Sequence, residues 1–367
     1  MSLKAGIVGL PNVGKSTLFN AITSSKVEAA NYPFTTIDPN VGIVKVPDTR
    51  LQKLSKIFQS KKTLFTTFEF IDIAGLVKGA SKGQGLGNRF LSHIREIDMI
   101  IHVVRCFEDS DINHVEGNID PIRDIEIINM ELVLADEETV NKLLVKQEKL
   151  VKSDTNSSLL KEFNLLKKVK EGLNKGFPIR RLELNSQELE LLKKYNFLTT
   201  KQVLYVANIN EKDLINKTNE WVEKVRDYAY AEKTQMITIC TKTELEIATL
   251  PEGEEKIEFL KSLNLEISGL DQLVMKTYKT LGLATFFTAG KEEVKAWTFK
   301  MGMTAKECAG IIHSDISHGF IKLEKYTFEE LIKYGSKEAV KDNGKVRFEG
   351  KDYLLSDGDI CYFHFNI

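Results

Sequence analysis

Short apolar runs alternate with segments of helical spacing over the first hundred residues. Ala5–Gly9 and Met99–Val104 are continuous apolar runs, which are typical of strands buried in a parallel sheet. Val41–Val46 and Thr66–Ile73 predict two further strands between them. The same alternation resumes at Gln202–Ala207, after a long helical stretch. The pattern therefore predicts a doubly wound α/β domain that is interrupted in sequence.

The interruption has the apolar spacing of helices. Apolar residues recur at this spacing from about Asp124 to Val151 and again from Leu159 to Leu173, with the polar stretch Ser153–Ser158 between them. A third helix is predicted to begin near Asn185, because Asn185 and Glu188 have capping-box spacing. We therefore predict a helical hairpin inserted within the α/β domain.

A different pattern begins near Gly282, with short strands and one helix capped by Thr304. One helix among about four short strands predicts a small α+β domain of the β-grasp, ubiquitin-like type. The sequence thus predicts a doubly wound α/β domain at 1–123 and 201–281, an inserted helical coiled-coil domain at 124–200, and a β-grasp domain at 282–367.

The overall charge and the cysteines exclude several classes of protein. Fifty-one Lys and Arg against 52 Asp and Glu leave a net charge of −1, which excludes a globally basic nucleic-acid coat. The four cysteines lie far apart without a CxxC pair, as expected for reduced thiols. The apolar runs are too short to span a bilayer. We expect a cytoplasmic monomer that does not bind membranes.

Gly9–Thr17 reads GLPNVGKST and fits the phosphate-binding pattern G-x-x-x-x-G-K-[ST]. It follows a predicted strand and opens a predicted helix, so backbone N–H groups and the helix N-terminus can face a nucleoside triphosphate. Lys15 is expected at the β- and γ-phosphates, and the Ser16 hydroxyl is expected to bind Mg²⁺. The predicted nucleotide-binding residues of this loop are Asn12, Val13, Gly14, Lys15, Ser16 and Thr17.

Asp72-Ile-Ala-Gly75 ends a predicted strand with the spacing D-x-x-G. Asp72 is predicted to hold Mg²⁺ through water, and the Gly75 N–H to contact the γ-phosphate. Between this motif and the phosphate loop, a polar loop reads Asn31-Tyr-Pro-Phe-Thr-Thr36. Thr36 is our candidate for the second hydroxyl on Mg²⁺, and Thr35 is the alternative.

The segments GLPNVGKST, YPFTT, DIAGLVKGAS and GLGNRFL resemble the Obg-related branch of the translation-factor-class P-loop GTPases. The helical insertion and the ubiquitin-like C-terminal domain, which resembles a TGS domain, narrow the resemblance to the YchF type of Obg-like ATPases. The resemblance covers nearly the whole chain. It implies a cytoplasmic, ribosome-associated nucleoside triphosphatase whose partner is the ribosome or ribosomal RNA.

The residues expected at the base depart from guanine specificity. A guanine-specific relative carries N-K-x-D, whereas this sequence has Asn208-Ile-Asn-Glu211. Glu211 is one methylene longer than Asp, so it cannot hold the same two hydrogen bonds without backbone movement, and these contribute about 1.5–3 kcal/mol each. Adenine could bind through backbone carbonyls and Asn208, and the resemblance also implies ATP use at least as good as GTP use. A surface turn with no role at the base is the alternative reading of this segment.

The residue that orients the attacking water is not identified by a motif. A Ras-like enzyme has a Gln after Gly75 that orients the attacking water, and here Leu76 stands at that position. His114, in a polar loop after the Met99–Val104 strand, is our candidate for this role, and a solvated loop histidine is the alternative. The predicted catalytic residues are His114, Lys15 and Gly75.

Two further features leave alternatives open. Asn12 resembles the asparagine of potassium-activated GTPases, which makes K⁺ a second candidate cofactor, although a turn-forming Asn without an ion is as good an explanation. A basic run at the base of the hairpin indicates either an RNA-binding face or a solvated helix surface. It comprises Lys167, Lys168, Lys170, Lys175, Arg180 and Arg181.

The function predicted from the sequence is a Mg²⁺-dependent ATPase that acts as a nucleotide-controlled switch in translation or stress regulation. The alternatives are a nucleotide-gated ribosome-binding or RNA-binding module with incidental turnover, and a GTP-specific ribosome assembly factor.

Overall fold

A computed structural model describes residues 3–24, 40–73, 86–109, 118–153, 157–216, 218–251 and 253–366. The chain divides into two compact units. The first unit comprises Met1–Val44 and Glu69–Leu273, and the second comprises Lys45–Phe68 and Val274–Ile367. Within the described ranges, no helix is long and apolar enough to cross a membrane.

The first unit has the α/β fold that the sequence predicts, with helices packed on one largely parallel sheet. Among the described residues its strand order is β2-β4-β1-β5-β6-β7, and each neighbouring pair from β4 to β7 runs parallel. The central strands are buried, which explains their continuous apolar runs. Numbered in chain order, the strands are β1 (Lys4–Val8), β2 (Val41–Lys45), β4 (Thr67–Asp72), β5 (Met99–Arg105), β6 (Gln202–Asn208) and β7 (Gln235–Ile239).

Helices cover this sheet and form the predicted insertion. The described helices of this unit are α1 (Lys15–Ser24), α3 (Leu86–Glu96), α4 (Pro121–Ser153), α5 (Ser157–Asn174), α6 (Ser186–Lys193), α7 (Glu220–Ala231), α8 (Thr241–Thr249) and α9 (Glu254–Ser262), and α10 (Gly269–Thr280) continues into the second unit. The predicted capping box at Asn185 and Glu188 is present at the start of α6. It fixes the beginning of that helix by pairing two backbone N–H groups.

The helical hairpin of α4 and α5 has its own apolar core, and it is anchored at a buried carboxylate. Val133 and Val140 of α4 pack with Leu166 and Val169 of α5 in one buried cluster. Asp136 of α4 is 1 % exposed. Its carboxylate accepts hydrogen bonds from the backbone N–H groups of Leu198 and Thr199 at 2.9 and 2.7 Å and from the Thr199 hydroxyl at 2.7 Å. These bonds join the insertion to the chain that enters β6.

Asp136→Ala is therefore expected to lower the free energy of unfolding by about 2–4 kcal/mol, because it leaves the buried donors of Leu198 and Thr199 without a hydrogen-bond partner. Urea denaturation followed by circular dichroism measures the effect. Glu138→Ala, at an exposed position of the same helix, is the matched control and should leave the midpoint nearly unchanged. Equal midpoints for the two variants would show that the Asp136 contacts do not anchor the hairpin.

The second unit is a mixed sheet with short helices. Its strand order, within the described ranges, is β11-β10-β12-β8-β9-β3. Its strands are β3 (Lys62–Leu64), β8 (Leu283–Ala289), β9 (Glu293–Lys300), β10 (Phe320–Thr327), β11 (Arg347–Glu349) and β12 (Asp359–Phe365). Its helices are α2 (Thr49–Phe58), α11 (Ala305–Ile312), α12 (Ser314–His318), α13 (Phe328–Tyr334) and α14 (Lys337–Asp342). The sequence predicts α11, capped by Thr304, but it does not predict β8 or the short helices α12, α13 and α14.

Residues 45–68 differ from the sequence assignment. The pattern places them in the α/β domain, whereas the structure packs them with the second unit. Leu51 and Leu54 of α2 are fully buried in a cluster with Phe287, and β3 pairs in parallel with β9. An amphipathic helix indicates that one face is buried, but its sequence does not say against which core.

Candidate functional site

The phosphate loop lies where the motif requires it, between β1 and α1. Asn12 and Gly14 have positive φ angles of 64° and 95°, so the loop turns sharply at both positions. A Cβ at Gly14 would overlap the Asn208 side chain, and a Cβ at Gly9 would lie 2.7 Å from the Val103 carbonyl oxygen. Glycine is therefore required at both positions for the loop to pack on β5 and β6.

Lys15 and Asp72 meet in space although they are far apart in sequence. Lys15 is the first residue of α1, and Asp72 is the last residue of β4. The Lys15 Nζ atom lies 2.5 Å from Asp72 Oδ1, and the two side chains are 11 % and 22 % exposed. Parallel pairing of β1 with β4 places Ile7 opposite Asp72, which brings the carboxylate to the phosphate loop. A cation and a carboxylate suited to phosphate and metal binding are thus adjacent.

A cavity of about 960 Å³ opens beside this loop. Its size is near the upper end of the range for small-molecule sites. Three chain segments line it besides the phosphate loop: one follows β5, one follows β6 and one follows β7. The predicted nucleotide-binding residues that line it are Asn12, Gly14, Lys15, Ser16, Thr17, Asn208 and Glu211.

Asn208, which the sequence predicts at the base, lines the cavity and also has a structural role. It is 3 % exposed. Its Nδ2 atom donates to the Val13 carbonyl at 2.9 Å, and its Oδ1 atom accepts from the Thr241 N–H at 3.0 Å. Both ends of the amide are therefore bonded to backbone, and Asn208 joins the phosphate loop to the start of α8. The side chain positions two walls of the cavity.

Glu211 and Lys242 form an ion pair at the cavity wall. Lys242 Nζ lies 3.2 Å from Glu211 Oε1, and both side chains are more than half exposed. The hydrogen bond from the Glu211 carboxylate and its charge raise the pKa of Lys242. Ile209 is buried instead, at 2 % exposure, and contributes apolar surface to the same wall. Lys242 and its neighbours Cys240 and Thr241 line the cavity from the segment after β7.

An aromatic wall was missed by sequence reasoning. Phe107, just after β5, lines the cavity and is 7 % exposed. The guanidinium of Arg105 lies 4.8 Å from the centre of this ring, and Arg105 Nε donates to the Phe107 carbonyl at 3.2 Å. Burial lowers the pKa of Arg105, and the charges of Asp109 and Asp124 oppose that shift. Arg105 thus holds the chain after β5 against the cavity.

Several predicted site residues fall outside the described ranges. Thr35, Thr36, Gly75, Leu76 and His114 lie there, so the Mg²⁺ and catalytic roles given to them stay predictions. Asn12 lines the cavity, and its proposed role with K⁺ is likewise untested.

Two buried clusters have structural roles in the described part of the chain. His102 is 2 % exposed, and burial, together with the charge of Arg180, lowers its pKa to about 3. It is therefore a neutral core residue. Glu232, whose side chain is 1 % exposed, lies 3.7 Å from Arg180 and 3.2 Å from Arg181 and accepts a hydrogen bond from the Tyr205 hydroxyl. These two arginines thus neutralise a buried carboxylate instead of extending an exposed basic run.

Two family models match the chain. A model described as "50S ribosome-binding GTPase" matches residues 4–145. The YchF-GTPase C-terminal model, described as "Protein of unknown function (DUF933)", matches residues 283–366. The first match includes the phosphate loop and Asp72, and the second covers most of the C-terminal part of the second unit.

Full-length relatives agree with these matches. The chain is 56 % identical to the "Ribosome-binding ATPase YchF" of Bacillus subtilis and 47 % identical to that of Escherichia coli O157:H7, over 100 % of both chains in each comparison. The structure of the Schizosaccharomyces pombe YchF GTPase is 38 % identical and superposes with a TM-score of 0.90, covering 99 % of this chain and 98 % of that one.

Proposed function

Because the chain belongs to the YchF family of P-loop nucleotide hydrolases, we propose that it is a Mg²⁺-dependent ATPase that prefers ATP to GTP and acts as a nucleotide-controlled switch on the ribosome. We infer the ribosome as partner because the full-length relatives are named ribosome-binding ATPases. The preference for ATP rests on this chain's own residues, above all on the Glu211–Lys242 pair at the cavity wall. We further propose a cytoplasmic monomer.

The phosphate end of the cavity supports triphosphate binding. Backbone N–H groups at the start of α1 and the positive end of its dipole face the loop, and Lys15 adds a full charge. The oxygen donors of Ser16 and Asp72 fit the hard cation Mg²⁺, and we propose Thr36 as a further ligand. When bound, Mg²⁺ neutralises charge on the β- and γ-phosphate oxygens. Asn12 is proposed to help hold K⁺ beside them.

The base end supports adenine. A guanine-specific site needs a carboxylate that accepts two hydrogen bonds from the base edge, and here Glu211 is longer and already pairs with Lys242. Phe107 and Ile209 provide apolar surface on which either purine could pack. The N6 amino group of adenine can donate to backbone carbonyls of this segment, which requires no carboxylate. This wall therefore lacks the carboxylate that would accept two hydrogen bonds from guanine.

Hydrolysis requires a group that places the attacking water. Leu76 has no polar atom in its side chain, so we propose that His114 takes this role. The segment that contains His114 follows Asp109 in the chain. Arg105 donates hydrogen bonds to the carbonyl groups of Phe107 and Asp109. The residues that precede this segment are therefore held beside the cavity.

His114→Ala is expected to lower kcat for ATP at least tenfold with little change in ATP affinity, because positioning groups act mainly in the transition state and contribute about 10²–10⁴ in rate. Single-turnover hydrolysis, with and without ribosomes, measures the effect. His93→Ala, at an exposed position of α3, is the matched control. Equal rates for the wild type and His114→Ala in both conditions would remove His114 from the mechanism.

A further inference from the structure

The wall of the cavity that follows β7 is formed by the first turn of a helix. Cys240 and Lys242 line the cavity, and α8 begins between them at Thr241. The Thr241 N–H donates to Asn208 Oδ1 at 3.0 Å, which fixes the start of the helix from the β6 side. A change in the position of α8 would therefore move this wall.

Glu244 lies one turn further along α8 and is buried. It is 2 % exposed, and its N–H donates to the Cys240 carbonyl at 3.0 Å within the first turn. One oxygen of its carboxylate accepts from the Gly269 N–H at 2.8 Å, and the other accepts from the Leu270 N–H at 3.0 Å. Gly269 and Leu270 are the first two residues of α10. The Glu244 side chain thus connects the helix at the cavity to a second helix.

The contact does more than cap α10. The N–H of Asp271, the third residue of α10, donates to the Ser268 hydroxyl at 3.0 Å, so this helix already has an ordinary capping residue. Glu244 accepts from the two preceding N–H groups, and its oxygens lie at the positive end of the α10 dipole. These bonds therefore fix the position of α8 relative to α10.

The two helices approach each other too closely for a side chain at Gly269. A Cβ at this position would lie 2.6 Å from Glu244 Oε1 and 3.3 Å from Ile239 Cγ1. Ile239 is the last residue of β7 and is 1 % exposed. Glycine therefore lets the carboxylate reach the backbone of α10, and a shift of the contact would disturb a packed core.

We propose that Glu244 is a positioning residue for the base end of the nucleotide site. By fixing α8 against the start of α10, it places Thr241 and Lys242 at the wall where Lys242 pairs with Glu211. The phosphate loop lies between β1 and α1, outside this contact. Glu244 therefore acts on binding of the base more than on binding of the phosphates. The inference rests on the proposed function, which places the base of ATP at this wall.

The test compares a ligand that has a base with one that has none. A non-hydrolysable ATP analogue and inorganic tripolyphosphate, each with Mg²⁺, are titrated calorimetrically into the full chain. Glu244→Gln keeps the size of the side chain but replaces one acceptor oxygen by an amino group, so one bond to α10 is lost. The ATP analogue should bind about fivefold more weakly, and tripolyphosphate should change less than about twofold. The KM for ATP should rise while kcat stays the same.

Two further variants show whether the contact itself is responsible. Glu258→Gln makes the same chemical change at an exposed position of α9 and should leave both affinities unchanged. Gly269→Ala places a methyl group against Glu244 Oε1 and should produce the same difference between the two ligands. Because both changes break one contact, combining Glu244→Gln with Gly269→Ala should weaken the ATP analogue no further than the stronger single change.

A measurement on the wild type does not depend on how the variants fold. At concentrations that raise Tm equally, the ATP analogue should slow amide hydrogen exchange at Gly269 and Leu270 more than tripolyphosphate does. Equal protection by the two ligands would overturn the inference. Equal weakening of both ligands in Glu244→Gln and Gly269→Ala, or no weakening of either, would also overturn it. A wild-type chain that binds the ATP analogue but does not hydrolyse ATP would instead contradict the proposed function, and the comparison of ligands would still test Glu244.

Discussion

Lys15→Ala is expected to lower kcat/KM for ATP hydrolysis about a thousandfold, the largest effect of any single substitution proposed for this chain. The Lys15 ammonium group is the full positive charge at the start of α1, and it lies 2.5 Å from the Asp72 carboxylate. Without it, the β- and γ-phosphates lose their main protein counter-ion, and Asp72 is left to repel the phosphate charge. Steady-state phosphate release measures the effect.

The control for Lys15 is a lysine whose charge lies far from the cavity. Lys149→Ala removes an exposed lysine of α4 and should leave kcat/KM unchanged. Binding of a fluorescent ATP analogue separates lost affinity from lost turnover. If Lys15→Ala hydrolyses ATP at the wild-type rate, the phosphate site has been assigned to the wrong loop.

Glu211→Asp combined with Ile209→Lys is expected to shift the ratio of kcat/KM values toward GTP by about a hundredfold. The shorter carboxylate restores the geometry that accepts two hydrogen bonds from guanine, which contribute about 1.5–3 kcal/mol each. It also shortens the reach to Lys242 and so weakens the pair that occupies Glu211 at present. Parallel hydrolysis assays with ATP and GTP give the ratio.

Ile209 is buried, so a lysine at that position could disturb folding. The single variant Glu211→Asp avoids this problem and should move the ratio in the same direction by a smaller factor. Glu220→Asp makes the same chemical change at the first turn of α7 and is the matched control. If both Glu211 variants keep the wild-type ratio, the base is recognised elsewhere in the chain.

The parts of the site that the sequence predicts are those whose chemistry depends on consecutive residues. The phosphate loop needs glycines, a lysine and a hydroxyl at fixed spacing on a strand-to-helix turn, and all of them lie within Gly9–Thr17. Continuous apolar runs such as Met99–Val104 identify buried parallel strands, and the ends of neighbouring strands then meet at one edge of the sheet. The sequence therefore predicts Lys15 and Asp72 at the same site.

Features that depend on distant partners could not be predicted in this way. The amide of Asn208 bonds to Val13 of the phosphate loop and to Thr241 at the start of α8. Phe107 has no polar group to mark it, and it lines the cavity because Arg105 holds its carbonyl group. Residues 45–68 include an amphipathic helix, and its sequence does not indicate which of the two cores buries its apolar face.

The dissociation constants of non-hydrolysable ATP and GTP analogues test the central claim most directly. Both are measured by titration calorimetry on the full-length wild-type chain, in the same buffer with Mg²⁺ and K⁺. We predict that the ATP analogue binds more tightly than the GTP analogue, because the wall formed by Ile209, Glu211 and Lys242 lacks the contacts that favour guanine. A GTP analogue that binds as tightly as the ATP analogue, or more tightly, would contradict the proposed preference.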